Sequence, residues 1–361
     1  MARIVYGVCG EGSGHSSRSR EMVTHLEKSG HTVKVVSYDR GYENLKDTFD
    51  VFEGEGPRIT SLDNRVSIIK TFTDNLRRLP EGHKKLQALR REIFKEFRPD
   101  CVFTDFEPMT AYLANHYDLP LVTVDNQHRI RYMTYPCPTN LMADQLVAEN
   151  VIRAVVPRPD VSLVTTFYCG KAKNDRTFFF PPILRQEVLS LRPRRGEHIL
   201  IYLTTGFETF LEKLGSFKRE HFIVYGSGEQ GEDGNTTYKP FSKEGFLYDL
   251  ATCKGVMGTA GFTLMTESMY LGKPYLAMPM RGQFEQELNG LLLAQLDYGM
   301  NLRRVSHMAV GSFLYRLPDF EDRLQAYKSA GNSAITGRID ELLADDCALA
   351  REFHRKRTSQ S

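Results

Sequence analysis

The sequence predicts an α/β protein built from two parallel-sheet domains, on three observations. Its 361 residues exceed what one hydrophobic core usually organises. Strand-sized apolar runs alternate with helical patterns in two separate series. Between the series, residues 181–196 are dense in proline and arginine, as a hinge would be.

In the first series, residues 3–9 (RIVYGVC) form an apolar strand and 10–15 a tight loop. A helix then runs to about Lys28, Gly30 stops it, and 32–37 is the next strand, which completes a βαβ unit. Residues 100–104 and 121–124 predict buried strands flanking a helix over 110–117. The second series runs strand 198–204, helix near Phe210, strands 221–225 and 255–257, a further helix, and strand 275–278. The expected division is therefore 1–180, a linker at 181–196, a second domain at 197–334, and a C-terminal helix over 335–361 with the option of crossing back to the first domain. Folds of this class bind ligands in the crevice at the carboxyl ends of their strands, so the active site is expected between the domains. Residues 226–237 (GSGEQGEDGNTT), rich in glycine and polar side chains, predict a mobile surface loop.

Composition narrows the function classes. Hydrophobic residues make up 41% and charged residues 25%, which excludes a disordered chain. With 47 Lys plus Arg against 45 Asp plus Glu, the formal charge of +2 carries no broad footprint for a nucleic-acid backbone, so no nucleic-acid partner is expected. The amino terminus lacks a secretory-signal pattern and no apolar run is long enough to span a bilayer. Six cysteines lie far apart with no Cys-x-x-Cys pair, so they are expected reduced and buried, in a cytoplasmic protein or one held at the inner membrane face. Residues 66–97 carry Lys70, Arg77, Arg78, Lys84, Lys85, Arg90, Arg91 and Lys95 between apolar positions at helical spacing. Such a helix has two readings: a solvated face, or a peripheral contact with an anionic membrane.

The most informative stretch is Gly258-Thr-Ala-Gly-Phe-Thr-Leu-Met-Thr-Glu267, followed by Gly272-Lys-Pro274, Pro279 and Gln283-Phe-Glu-Gln286-Glu-Leu-Asn289. A small-residue turn opening directly into a helix aims unpaired N–H groups and the positive end of the helix dipole outward, which suits a diphosphate. That assigns Gly261, Phe262 and Thr263 to the phosphates. Glu267, two turns along, can accept hydrogen bonds from both ribose hydroxyls, and Glu285 and Gln286 would reach sugar hydroxyls. Gly10-Glu-Gly-Ser-Gly-His15 allows close backbone approach to a ligand, but it is no dinucleotide fingerprint, because His15 stands where the third glycine belongs.

The 258–289 pattern resembles the GT-B glycosyltransferases, both the UDP-glycosyltransferases and the enzyme that adds N-acetylglucosamine to lipid-linked peptidoglycan precursors. The chain is also similar to bacterial and archaeal proteins labelled teichoic-acid or cell-surface polysaccharide transferases. The resemblance implies two Rossmann-like domains facing across a cleft, a nucleotide-diphospho-sugar donor that is UDP-linked, and a hydroxyl acceptor, lipid-linked in some relatives. Where the plant and macrolide members carry a phosphate-binding His, this chain has Thr259. Arg185 matches an Arg that faces the donor phosphates in the peptidoglycan enzyme, and its other reading is a surface arginine in a hinge. Thr204, Thr205 and Gly206 end a strand as the family's phosphate loop does. Phe241 belongs to a segment that meets the uracil edge, with simple core as the alternative.

By the same resemblance Gly12, Ser13 and Gly14 face the acceptor, and His15 matches the catalytic base of the UDP-glycosyltransferases. A neutral imidazole oriented by a carboxylate is suited to deprotonating a hydroxyl, and Asp105 sits where the family places that carboxylate. Asp125-Asn126-Gln127-His128 would line the acceptor side, with His128 a rival base and Glu107 a weaker one. No Asp-x-Asp stands at a strand end, so no metal and no cofactor are expected. The expected activity is inverting sugar transfer in cell-envelope polysaccharide, glycolipid or natural-product synthesis. Its competitors are an isomerase resembling the UDP-N-acetylglucosamine 2-epimerases and a non-catalytic nucleotide-sugar-binding subunit.

Overall fold

The computed structural model describes residues 1–56, 61–62, 65–66, 79–203, 208–304, 306–327 and 329–359. Two compact units divide the chain: unit 1 takes the N-terminal part to Arg185 together with the segment from Ala330, and unit 2 takes Gln186–Ser329 and a short piece near residue 61. The chain passes from one unit to the other between Arg185 and Gln186.

In chain order the strands of the first half are β1 (Arg3–Val8), β2 (Thr32–Ser37), β3 (Val51–Glu53), the short antiparallel pair β4 (Ser61–Leu62) and β5 (Arg65–Val66), β6 (Cys101–Asp105), β7 (Leu121–Asp125), β8 (Val161–Thr165) and β9 (Thr177–Phe180). Unit 1 carries a seven-stranded sheet in the order β3-β2-β1-β6-β7-β8-β9, parallel throughout. In β1, β6, β7 and β8 nearly every residue is buried, which is why these segments are continuous apolar runs rather than alternating ones. On one face Tyr6, Phe103 and Val124 pack with Met22 and Leu26 of the helix Gly14–Lys28 and with Ile339 and Leu342 near the chain's end. On the other, Val5, Val36 and Val102 pack with Ala111, Leu113 and Ile93.

The terminal helix Ser333–Thr358 breaks at Ala344–Cys347 and docks on the first face with both of its parts. Its anchor is the buried Asp160, which accepts from Leu121 N at 2.8 Å and His354 Nδ1 at 3.0 Å and is also bonded by Arg357 Nε. Of the expected basic helix, residues 67–78 lie outside the described residues. The remainder is the helix Leu79–Leu89 and a wider turn Arg90–Phe97, which buries Leu89, Ile93 and Phe94 and leaves Lys84, Arg91 and Lys95 exposed.

Unit 2 contains β10 (His198–Tyr202), β11 (His221–Tyr225), β12 (Gly231–Asp233), β13 (Thr236–Lys239), β14 (Gly255–Gly258), β15 (Tyr275–Ala277) and β16 (Gly299–Asn301). They lie in the order β12-β13-β11-β10-β14-β15-β16, all parallel except β12. The strands β12 and β13 correct the expectation of a mobile loop over 226–237. Gly234, at φ +59°, permits a two-residue hairpin turn, and Asn235 Nδ2 donates to the carbonyls of Leu214, Phe217 and Glu220 at 3.2, 2.9 and 3.1 Å. The segment is polar because β12 is a fully exposed edge strand.

Two of the six cysteines also depart from expectation: Cys137 is half-buried and Cys169 exposed, while Cys9, Cys101, Cys253 and Cys347 are free and buried. Among the described residues no helix is long and apolar enough to cross a membrane.

Each sheet has one point where strand order reverses. In unit 1 it lies between β1 and β6, with Val8 beside Asp105, and in unit 2 between β10 and β14, with Tyr202 beside Gly258. Crevices at the carboxyl ends of such neighbouring strands are where parallel α/β sheets take ligands. Removing the anchor of the terminal helix should be costly, because it leaves Arg357 and His354 facing a site built for an anion. Asp160→Ala is expected to lose about 3 kcal/mol in urea unfolding, whereas Glu352→Gln, in an exposed pair with Lys356, should leave the unfolding midpoint unchanged.

Candidate active site

At the reversal point of unit 1, β1 ends at Val8 and the loop after it is tied to β6 by Cys9 N donating to Asp105 O at 2.9 Å. Gly10 is required there: a Cβ would stand 2.1 Å from Tyr38 O. Gly12, at φ +68°, turns the chain into the helix Gly14–Lys28, leaving Gly12 and Ser13 exposed and Gly14 half-buried.

Along this helix His15, Arg18 and Ser19 stand at i, i+3 and i+4, on one face, and all three reach Asp105. Oδ1 of Asp105 accepts from His15 Nδ1 at 2.8 Å and from Arg18 Nη2 at 2.6 Å. Oδ2 accepts from Arg18 Nε at 2.6 Å and Ser19 Oγ at 3.1 Å. The carboxylate is fully buried, and burial by itself would raise its pKa. The Arg18 guanidinium and His15 outweigh that effect and hold it below the usual carboxylate range. The His15 side chain is 12% exposed, lies against the Phe106 ring at 6.4 Å, and has Gln127 Nε2 at 3.5 Å from its Nε2.

The structure thus brings His15 and Asp105 together. Arg18, Ser19 and the reach of Gln127 were not read from the sequence; the i, i+3, i+4 spacing of His15, Arg18 and Ser19 signals only that the three share one helix face.

Asn126 and His128 are both fully buried. Asp125 accepts from His128 N at 2.8 Å and from its Nδ1 at 2.7 Å, and the ring stacks on Tyr132. Glu107 caps the helix Pro108–His116, accepting from Met109 N and Thr110 N, both at 2.8 Å, and burial pushes its carboxyl up to about 7.

In unit 2 the turn after β14 is held by its carbonyls. Gly258 O accepts from Met278 N at 2.9 Å, Thr259 O from Tyr275 OH at 2.7 Å, and Ala260 O from Asn289 Nδ2 at 2.8 Å. Gly261 then caps the helix Phe262–Tyr270 with no side-chain hydrogen bond. The turn thus runs directly into the N-terminal end of that helix, where the positive end of the helix dipole lies. Phe262 is buried, Thr263 half-buried and Glu267 only 2% exposed.

Glu285 is half-buried at the start of the helix Phe284–Gln295. Gln286 orders its own loop, Oε1 accepting from Met280 N at 3.0 Å and Nε2 donating to Gln283 Oε1 at 2.7 Å. Phe241 is 67% exposed, which rules out the core alternative. Arg185 is half-buried, and its neighbour Leu184 is clamped by Asn332, which accepts from its N and donates to its O. Thr204, Thr205 and Gly206 lie outside the described residues. Among the described residues no group of three or more His, Cys, Asp or Glu is placed to hold a metal ion.

The sequence profile described as glycosyl transferase family 1 matches residues 2–318. The chain belongs to this family. A relative in Methanosarcina mazei named as an uncharacterized glycosyltransferase is 24% identical over 340 residues, covering 83% of this chain and 85% of that protein. Among solved structures, the glycotransferase of kitacinnamycin superposes with a TM-score of 0.68 at 16% identity, over 94% of this chain and 98% of that one. The glycosyltransferase VinC in complex with dTDP gives 0.63 at 13% identity, over 94% and 99%. The GT-B fold is therefore that of this family 1 glycosyltransferase, as the resemblance implied.

Two tests follow from the geometry of this family 1 glycosyltransferase. Because the Glu107 carboxyl rises from 4.5 to about 7 on folding, its contribution to stability is fully present below pH 4.5 and is lost as pH climbs through 7. Glu107→Gln should flatten that decline, on the order of 2 kcal/mol between pH 5 and 7.5 in urea unfolding. Asn289→Ala leaves the Ala260 carbonyl without its partner and is expected to cost about 1 to 3 kcal/mol of stability, with weaker nucleotide binding by calorimetry.

Proposed function

We propose that this family 1 glycosyltransferase transfers a sugar, with inversion and without a metal ion, from a UDP-sugar to a hydroxyl acceptor. The observation that carries the reading is the buried Asp105 carboxylate 2.8 Å from His15 Nδ1; an imidazole that donates from Nδ1 to it has Nε2 as its basic atom. In the reaction Nε2 takes the acceptor's hydroxyl proton while the acceptor oxygen forms its bond to the anomeric carbon. The bond from that carbon to the diphosphate breaks, and UDP leaves with the electron pair. A single displacement of this kind inverts the anomeric centre.

The N–H groups of Gly261, Phe262 and Thr263 and the helix dipole behind them would receive the charge developing on the diphosphate. Arg185 is assigned to the same charge, Glu267 to the ribose, Glu285 and Gln286 to the sugar, and Phe241, being exposed, to the base. Gly12, Ser13 and Gly14 are assigned to the acceptor, with Asn126 and His128 behind them. The acceptor belongs to cell-envelope, glycolipid or natural-product synthesis. A lipid-linked acceptor would bring the protein to a membrane surface from the cytoplasm. The dTDP bound by VinC makes dTDP-sugars the first alternative donors.

Thermal-shift screening across UDP-, dTDP- and GDP-sugars should raise the melting temperature with the UDP compounds above the others. With the donor so found, His15→Ala is expected to lower transfer by about 10²- to 10⁴-fold. Formation of an epimer from donor alone would replace this reading with the isomerase. Transfer unchanged in His15→Ala within a reconstituted complex would favour a non-catalytic subunit.

A further inference from the structure

Three atoms around Asp105 form a close triangle: His15 Nδ1 to Asp105 Oδ1 is 2.8 Å, Arg18 Nη2 to the same Oδ1 is 2.6 Å, and Arg18 Nη2 to His15 Nδ1 is 2.8 Å. A carboxylate oxygen has lone pairs for both donors. When Nδ1 carries its proton, however, the guanidinium stands against it donor to donor. When Nδ1 is bare, it can accept from Arg18, and the proton then sits on Nε2, where it blocks base catalysis. The cation is consequently placed to act on both the charge and the tautomer of the imidazole.

We propose that Arg18 is a positioning residue for proton removal by His15, neutralising Asp105 so that the imidazole is oriented by a carboxylate without being driven into its charged form. The proposal rests on the reading of His15 as the base. An acid beside a histidine with no counter-cation favours the imidazolium, which cannot take a proton. Arg18 is suited to preventing this. It lies one helical turn from His15, it is buried, and its fork binds both oxygens of Asp105, Nε on Oδ2 and Nη2 on Oδ1.

The groups that face the pair come from each neighbouring element. From β6 there is Asp105, from the end of β7 the uncharged Gln127, which accepts from Arg18 Nη2 at 3.3 Å, and from the residue after β6 the ring of Phe106. From β1 there is Tyr6, a phenol held neutral because burial drives its pKa well above the usual value. Glu11 is the acid of the loop before the helix. Among the described residues Arg18 is the cation in contact with the imidazole, so its removal has a defined sign.

The test follows the His15 imidazole by NMR in the full chain with ¹⁵N-histidine, beside the pH–rate profile of sugar transfer. In Arg18→Met the full charge of Asp105 faces His15. The midpoint of the His15 titration and the acid limb of kcat/KM are both expected to move up by about 1 to 2 pH units. Arg18→Lys, which returns a cation, should reverse at least half of that movement, and Asp105→Asn, which leaves Arg18 unopposed, should move the midpoint the other way.

A His15 midpoint unchanged in folded Arg18→Met overturns the proposal, as does a shift that Arg18→Lys fails to reverse. Should Arg18→Met not fold by circular dichroism, Asp105→Asn decides, and a midpoint that does not fall there overturns the proposal equally. The NMR arm needs no substrate. Absence of transfer from every nucleotide sugar therefore sinks the transferase reading alone, and an unmoved His15 in an active enzyme sinks the role of Arg18 alone.

Discussion

The fully buried carboxylate of Asp105 is the constraint around which the N-terminal unit's chemistry is arranged. An ionised group out of water costs several kcal/mol unless paired and hydrogen-bonded, and here four contacts from one helix satisfy it. Those contacts fix the rotation of the helix Gly14–Lys28 about its own axis, because His15, Arg18 and Ser19 share one face. Met22, Val23 and Leu26 then fall against the sheet. The orientation of the proposed base thus follows from satisfying a buried charge together with packing an apolar face.

Unit 2 solves the corresponding problem with neutral groups. Its turn at Gly258–Gly261 is held by Tyr275, Asn289 and Met278, which engage the turn's carbonyls. The shape of this backbone turn therefore depends on side chains from outside it. That gives Asn289, part of the sequence pattern, a physical reason to be an amide: a buried carbonyl without a partner is costly. Tyr275 does the same from β15, and Gly258 must be glycine, since a Cβ would stand 2.6 Å from the Tyr275 hydroxyl oxygen.

Much of the fold was legible because parallel strands buried on both faces are continuous apolar runs, and β2 and β11 fall on their expected residues. The hairpin β12–β13 was not legible, since an edge strand facing water has the composition of a loop. Its order comes from Asn235, whose three carbonyl partners lie 15 to 21 residues away in sequence. A helix was expected over 110–117 and is found at Pro108–His116, but the capping role of Glu107 depends on the path of the chain at the end of β6, where Phe106 adopts φ +59°.

The sequence by itself determined the fold class and the glycines and small residues of the turns after β1 and β14, because local backbone geometry and burial write these into residue type; the pairing of His15 with Asp105 was implied by the family resemblance alone. Only the tertiary structure decided what surrounds that pair. Arg18 and Asp105 are 87 residues apart, and nothing in either neighbourhood signals that β1 and β6 lie side by side with their carboxyl ends level. Long-range strand order brings the guanidinium onto the carboxylate, and a buried charge then holds it there.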